Sequence, residues 1–414
     1  MARRMKDGPH TTAALETGTR VPHEPLGRLF LRFLRFGALA WGGPVAQIAM
    51  LRQELVEEER WVDGAQFNRM LALYQVLPGP EATELCVYFG MRARGRVGGL
   101  LAGLAFVLPG FLLMFALSWA YLRFGMGSPH VTAVFGAVQA AVGALIVRAV
   151  VRIGEHALHG RWLWCVALLA CAAQLAGVHF APVLVGGGLL YVLAQRGRPR
   201  AAGLLAAAAT AVLAWLLLRH GLSAPVAEAV DAAGPARGAP SPLALLWSGL
   251  KAGSLTFGGA YTAIPFVQQD AVVRGAWMSN AQFLDGLALS SLLPAPLIIF
   301  STFVGYVGGG GPGALLMTAG VFFPAFALTL LGHDALERLL GHPRLRAFLD
   351  GVTAGVVGLI GATTVGLLRA SLTSPLLLLV FALALAALFR WKAKLLIPGV
   401  LLGAALVGLL SRGP

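Results

Sequence analysis

Two constellations in this chain place helix-interrupting residues inside otherwise apolar runs. The first couples Gly42-Gly43-Pro44 to Pro78-Gly79-Pro80, and the second couples Gly258-Gly259 to Pro294-Ala295-Pro296. Proline lacks a backbone N–H and glycine tolerates irregular backbone, so each break frees polar groups at the end of a half-helix. The start of a half-helix presents unpaired N–H groups and the positive end of a dipole, which suits an oxyanion without any buried arginine. Gln47, Thr83 and Tyr261 stand beside the breaks and complete the candidate binding set. Four carboxylates lie close by in sequence. Glu54 and Asp270 occupy matching places in the two constellations, while Glu81 and Glu84 follow only the first Pro-x-Pro. A carboxylate beside a dianion site repels substrate unless it is protonated, so these four are candidate coupling or gating groups. The alternative for each break is packing alone: close helix contact at Gly-Gly and a kink at Pro-x-Pro. For Glu54 and Asp270 the alternative is a capping or interfacial role. Recurrence of the breaks in both halves favours function.

The recurrence is a duplication. A gapless shift of 216 residues lays Gly37–Pro80 on Gly253–Pro296 with 17 identities in 44 positions, among them Trp61 on Trp277 and Gln66-Phe67 on Gln282-Phe283. With a shift of 215 the match continues through Gly90 on Gly305, Gly98 on Gly313 and Pro109 on Pro324. The chain is 57% hydrophobic and 12% charged, with mean hydropathy +0.76. Repeated apolar runs of about 20 residues are long enough to cross a hydrocarbon core. We therefore expect an all-α polytopic membrane protein of two inverted repeats, with broken or re-entrant helices near the midplane. The expected division is a polar, disordered cytoplasmic tail over 1–28, a first repeat over 29–195, a connecting span and linker over 196–242, and a second repeat over 243–414.

Spans are expected at 97–121, 131–151, 162–178, 181–195 and 201–218, then 312–331, 345–368, 375–389 and 395–410. Residues 29–91 read as two broken or re-entrant hairpins, which are tolerated only inside protein or beside a water-filled cavity. The net charge of +14 fits basic loops in the cytoplasm, not a nucleic-acid partner. Arg92, Arg94 and Arg96 fill a loop whose counterpart, 305–312, is uncharged; in the next loop the bias reverses toward Arg338, Arg344 and Arg346. Corresponding loops thus prefer opposite sides, which predicts inversion, and the span at 201–218 supplies the odd crossing that inversion requires.

Other residue patterns carry less. Cys86, Cys165 and Cys171 are widely spaced in apolar segments and read as buried hydrophobes. His156 and His159 share a helical face without a third ligand nearby, so no metal is expected. Ser248-x-x-Lys251 matches an acyl-transfer pattern by letter only, without its supporting motifs and without a copy in the first half. Arg148 and Arg152 read as topology signals, and Arg60 and Arg69 as interfacial snorkelling residues.

The runs Trp41-Gly42-Gly43-Pro44-Val45-Ala46-Gln47-Ile48 and Leu77-Pro78-Gly79-Pro80-Glu81-Ala82-Thr83-Glu84-Leu85 resemble the N-terminal signature of the chromate ion transporter family. Phe257-Gly258-Gly259-Ala260-Tyr261 with Leu293-Pro294-Ala295-Pro296 resembles the C-terminal signature of its long, two-domain members. Trp41 stands where that family has Phe, and Gln47, which cannot carry a proton, stands where it has His. The resemblance implies a bacterial inner-membrane protein with a cytoplasmic N-terminus that exports chromate, with sulfate as the chemical analogue. It implies no enzymatic activity and no cofactor. The expected partners are chromate or sulfate, the lipid bilayer and a second copy of the chain in a homodimer, with no nucleic acid. Sulfate uptake, a channel and a non-transporting scaffold remain as alternatives.

Overall fold

The computed structural model describes residues 23–39, 43–124, 129–220, 238–340, 342–391 and 396–411. The expected N-terminal tail up to residue 22, Trp41, Gly42 and most of the linker lie outside the described residues. Among the described residues every regular element is helical. The first half comprises α1 (Leu26–Ala38), α2 (Gly43–Arg52), a π-helical turn (Gln53–Glu58), α3 (Gly64–Val76), α4 (Glu81–Phe124), α5 (Pro129–Ala157), α6 (Arg161–Leu175) and α7 (Phe180–Gln195). After α8 (Pro199–His220), the second half repeats the order: α9 (Pro242–Ser254), α10 (Ile264–Gln268), a π-helical turn (Gln269–Arg274), α11 (Asn280–Ser291), α12 (Phe300–Leu340), α13 (Pro343–Ser371), α14 (Pro375–Arg390) and α15 (Leu396–Leu410).

The correspondence extends to local backbone detail. The two π-helical turns begin at positions 216 apart, and each is followed by a non-glycine residue with positive φ, Arg60 at 53° and Ala276 at 48°. The next helix is then capped at matching positions. Asp63 accepts from the Gln66 N–H, and Ser279 forms a capping box with Gln282. This explains the shared glutamine: Gln282 turns back on its own cap, and Gln66 donates to the Tyr88 hydroxyl at 3.1 Å.

α4 and α12 each double back. Arg94 and Gly95 leave helical geometry in α4, as Gly309 and Gly310 do in α12, with Gly95 at φ 61° and Gly310 at φ 60°. A Cβ on Gly90 would collide with the Gly98 carbonyl, and one on Gly305 with the Gly313 carbonyl. Residues eight apart in a straight helix are separated by about 12 Å along its axis, so the two arms must run back along each other. The basic stretch Arg92, Arg94 and Arg96 is therefore the tip of a helical hairpin, not a loop between spans. Arg338 likewise sits in the last turns of α12, and Arg344 and Arg346 in the first turn of α13.

The halves exchange helices. α5 packs on α14 and α15 of the second half, while α13 packs on α6 and α7 of the first. Small residues permit this closeness. Gly358 lies against the Ala167 carbonyl, and Gly408 would place a Cβ 2.6 Å from the Ala133 carbonyl. α1 packs on α4 as α9 packs on α12, with Gly37 against Phe106 and Gly253 against Val321. Among the described residues, four helical stretches are long and apolar enough to cross a membrane: 81–124, 130–157, 297–332 and 343–371. Side chains such as Trp61, Phe67, Phe89, Phe283 and Phe300 fill the shared interior.

Candidate functional site

The two Pro-x-Pro breaks lie inside the protein. The short first arm of α4, Glu81 to Arg94, places Pro78-Gly79-Pro80 about 20 Å from the hairpin tip, within the thickness of a hydrocarbon core of about 30 Å. Gly79 adopts φ 151° and its N–H donates to the Thr256 carbonyl of the second half at 2.8 Å. A Cβ on Gly79 would lie 3.0 Å from the Ala325 Cβ on the long arm of α12. The second copy makes the reciprocal contact, with Ala295 against Gly110 on the long arm of α4. Each Pro-x-Pro thus meets the other half's long helix, at positions that correspond under the duplication.

The Gly-Gly break of the second half is the more open feature. Gly258 has φ 74° and Gly259 φ 120°, a backbone that favours glycine. A Cβ on Gly259 meets nothing within 4 Å, and one on Gly258 meets only Ile153 of α5 and Thr353 of α13, at 3.8 and 3.9 Å. A 3-10 turn, Ala260–Ala263, follows, with the Thr262 hydroxyl donating to the Gly259 carbonyl at 2.7 Å. Tyr261 in this turn lies within electrostatic range of Arg148 and Arg152 of α5. These two arginines, read from sequence as topology signals, therefore stand beside a candidate binding residue. In the first half, Gly43 and Pro44 open α2, and Gln47 on the same helix is fully buried.

The carboxylates divide into three settings. Glu81 and Glu84, with Thr83 between them, are buried in the first turn of α4. Neither oxygen of Glu84 has a hydrogen-bond partner, nor does the Thr83 hydroxyl. The Glu84 carboxyl points back at the break, where a Cβ on Gly79 would lie 2.9 Å from Glu84 Oε1, and Tyr74 lies beside it. The protein's own carboxyl thus occupies the helix N-terminus at which an anion was expected; Phe300 holds the corresponding place in the second half. Glu54 and Asp270 do not face the breaks. Each closes an ion pair, with Arg35 and Lys251 respectively.

A further carboxylate, Asp285, is brought into the interior between the halves. It accepts from the Tyr121 hydroxyl and from Gln139 Nε2, both at 2.7 Å and both from the first half. Sequence reasoning did not single out this residue, which the duplication aligns with Arg69. A lone acid within the apolar run of α11 was the available signal, because ionisable residues at membrane depth are rare and face the interior. Replacing Asp285 by alanine removes the acceptor of two partly buried donors, Tyr121 and Gln139, of which Gln139 retains the Ala281 carbonyl, at a combined cost of about 1–3 kcal/mol. We expect a clear drop in melting temperature in detergent for Asp285→Ala and a much smaller one for Asp285→Asn, which retains an acceptor.

Duplicated helical hairpins with broken tips, sunk among long apolar spans and carrying buried carboxyls, are features of a polytopic membrane transporter. The sequence relatives specify which kind. The chain belongs to the chromate transporter family, which matches residues 27–193 and 243–409, one match per half. It is 57% identical over 387 residues to the chromate transport protein of Pseudomonas aeruginosa, covering 92% of this chain and 91% of that relative. It is 33% identical over 421 residues to the chromate transport protein of Cupriavidus metallidurans, covering 97% of each. The uncharacterized transporter YwrB of Bacillus subtilis is 28% identical over 171 residues, which is 85% of that protein but 41% of this one. No solved structure matches the chain.

Proposed function

We propose that this protein is a secondary carrier that exports chromate across the bacterial inner membrane, conferring chromate resistance, and that it does so by exchange with sulfate. In this reading 29–195 and 243–414 are repeats of opposite orientation joined through 196–242, with the N-terminus in the cytoplasm. The observation that carries it is the reciprocal seating of the two Pro-x-Pro breaks on the opposite half, Gly79 on Ala325 and Ala295 on Gly110. Breaks that interlock in this way form a single centre that both repeats must share, as alternating access requires. Gly43, Pro44, Gln47, Thr83, the Gly258-Gly259 turn and Tyr261 would bind the oxyanion there, and Glu84 would couple its movement to protons.

Uptake of labelled chromate and sulfate into proteoliposomes, with and without either anion trapped inside and at set pH gradients, tests this. Exchange requires saturable uptake stimulated by trapped anion. Non-saturating flux indifferent to trapped anion indicates a channel, and no flux under any gradient overturns the reading.

A further inference from the structure

A pair of cations that sequence reasoning passed over occupies matched positions in the two halves. Arg35 and Lys251 are 216 residues apart, so they correspond under the duplication. Each is bonded to the carboxylate 19 residues further on, Arg35 to Glu54 and Lys251 to Asp270. Lys251 thus belongs to an ion pair repeated in the first half, not to an acyl-transfer motif with Ser248.

The chain between the partners explains the arrangement. In each half the cation lies in the last turn of α1 or α9, the Gly-Gly break follows, and the carboxylate lies in the first turn of the π-helical segment. The ion pair therefore closes the base of a hairpin whose tip is the break. A π-helical turn carries one residue more than an α turn and is a place where a helix can shift register. The bond from cation to carboxylate spans that adjustable element.

Electrostatically the two pairs differ. Arg35 is 56% exposed, and Glu54 is shared with Arg32, which also donates to Glu24 and Glu59 and lies 5.5 Å over the Trp61 ring. Lys251 and Asp270 are only 16% and 13% exposed, with Lys251 Nζ 5.5 Å over the Phe180 ring of the first half. Arg274 and His179 also stand near this pair. His179, at the start of α7, is held below the usual imidazole range by partial burial and then by Arg274 and Lys251. It adds no charge at neutral pH, and the charges acting on it are two cations, Lys251 and Arg274, against one carboxylate, Asp270.

We propose that Lys251, and Arg35 in the other half, receive the oxyanion on its way to the breaks, and that Asp270 and Glu54 are resident carboxylates which the oxyanion displaces. This rests on the oxyanion-carrier reading. A carboxylate presents two oxygens to a cation much as one edge of a tetrahedral oxyanion does, and a dianion attracts the same cation more strongly than a monoanion. Displacement unties the base of the hairpin, freeing the π-helical turn to shift and the break to open. When the anion moves on, the carboxylate returns and the hairpin closes. The ligand then has the differential affinity for the two states that any ligand-driven change requires.

The test is equilibrium binding of sulfate and chromate, with chloride as control, to the purified full-length protein in detergent. If the carboxylate competes with the anion, Asp270→Asn tightens sulfate binding about fivefold, the worth of one partly exposed ion pair. Lys251→Gln weakens binding, and on that background Asp270→Asn has no further effect. Glu54→Gln, an independent variant, tightens binding less, because Arg35 is half exposed and its attraction for an anion is screened by water. Weaker or unchanged binding by both Asp270→Asn and Glu54→Gln, in protein that elutes as one species, overturns the proposal and leaves the pairs as structural straps. Absence of oxyanion binding by the wild type overturns the carrier reading itself.

Discussion

Substituting leucine for Gly259 is expected to reduce chromate flux severely while leaving the protein folded in the membrane. The conformation at this residue, φ 120° and ψ 160°, is one that side-chain-bearing residues rarely adopt. Forcing one into it costs about 1–3 kcal/mol, which corresponds to roughly a 5- to 150-fold loss if the strain is relieved by distorting the break. The space beside it is open, since nothing lies within 4 Å of a Cβ there, so the cost falls on the backbone of the break and not on packing. Gly253, six residues earlier, provides the contrast. A Cβ at that position collides with the Val321 carbonyl where α9 crosses α12, so Gly253→Leu should prevent accumulation of the folded protein altogether. Flux normalised to inserted protein separates the two, and normal flux through Gly259→Leu would remove the break from the transport path.

Glu84→Gln is expected to produce a carrier that no longer responds to a pH gradient. Glu84 is fully buried and neither of its oxygens has a partner, an arrangement in which gain or loss of a proton has a large energetic consequence. Its contact with Gly79 puts that consequence at the break, where an incoming dianion competes for the same helix N-terminus. Glutamine keeps the shape and cannot exchange a proton. Chromate–sulfate exchange at equal internal and external pH should therefore survive, while stimulation by an imposed gradient should vanish. Proteoliposome flux over a series of gradients measures this. A Glu84→Gln variant with the wild-type gradient response would assign coupling elsewhere.

Much of this architecture was readable because glycine, proline and tryptophan at fixed spacing leave an imprint that survives divergence. The duplication followed from Gly42-Gly43, Pro78-x-Pro80 and their counterparts, and the helical segments from the recurring apolar runs. What escaped was set by backbone geometry or by distant partners. The reversal at Arg94-Gly95 looks in sequence like a basic loop, since its helical arms meet through small residues such as Gly90, Gly98 and Gly99, which also suit any apolar span. The π-helical turns have no residue signature, because an extra residue per turn arises from hydrogen-bond register and not from composition. Lys251 matches a sequence pattern with Ser248 by letter only, and its actual partner, Asp270, lies beyond the break. Asp285 was passed over because its counterpart is Arg69, and its donors, Tyr121 and Gln139, are some 150 residues distant.

The exchange of helices between the halves has a consequence for how such a protein can be assembled. α5 finds its partners on the second half and α13 finds its partners on the first, so neither half alone encloses its own interior. Separate polypeptides carrying one half each would have to be synthesised together, and either made alone should be degraded. Joining them in one chain fixes the ratio at one to one. It also releases each copy from having to fit an identical twin, which is the freedom by which Arg69 can face Asp285 in the alignment and Glu84 can face Phe300 without loss of the common frame.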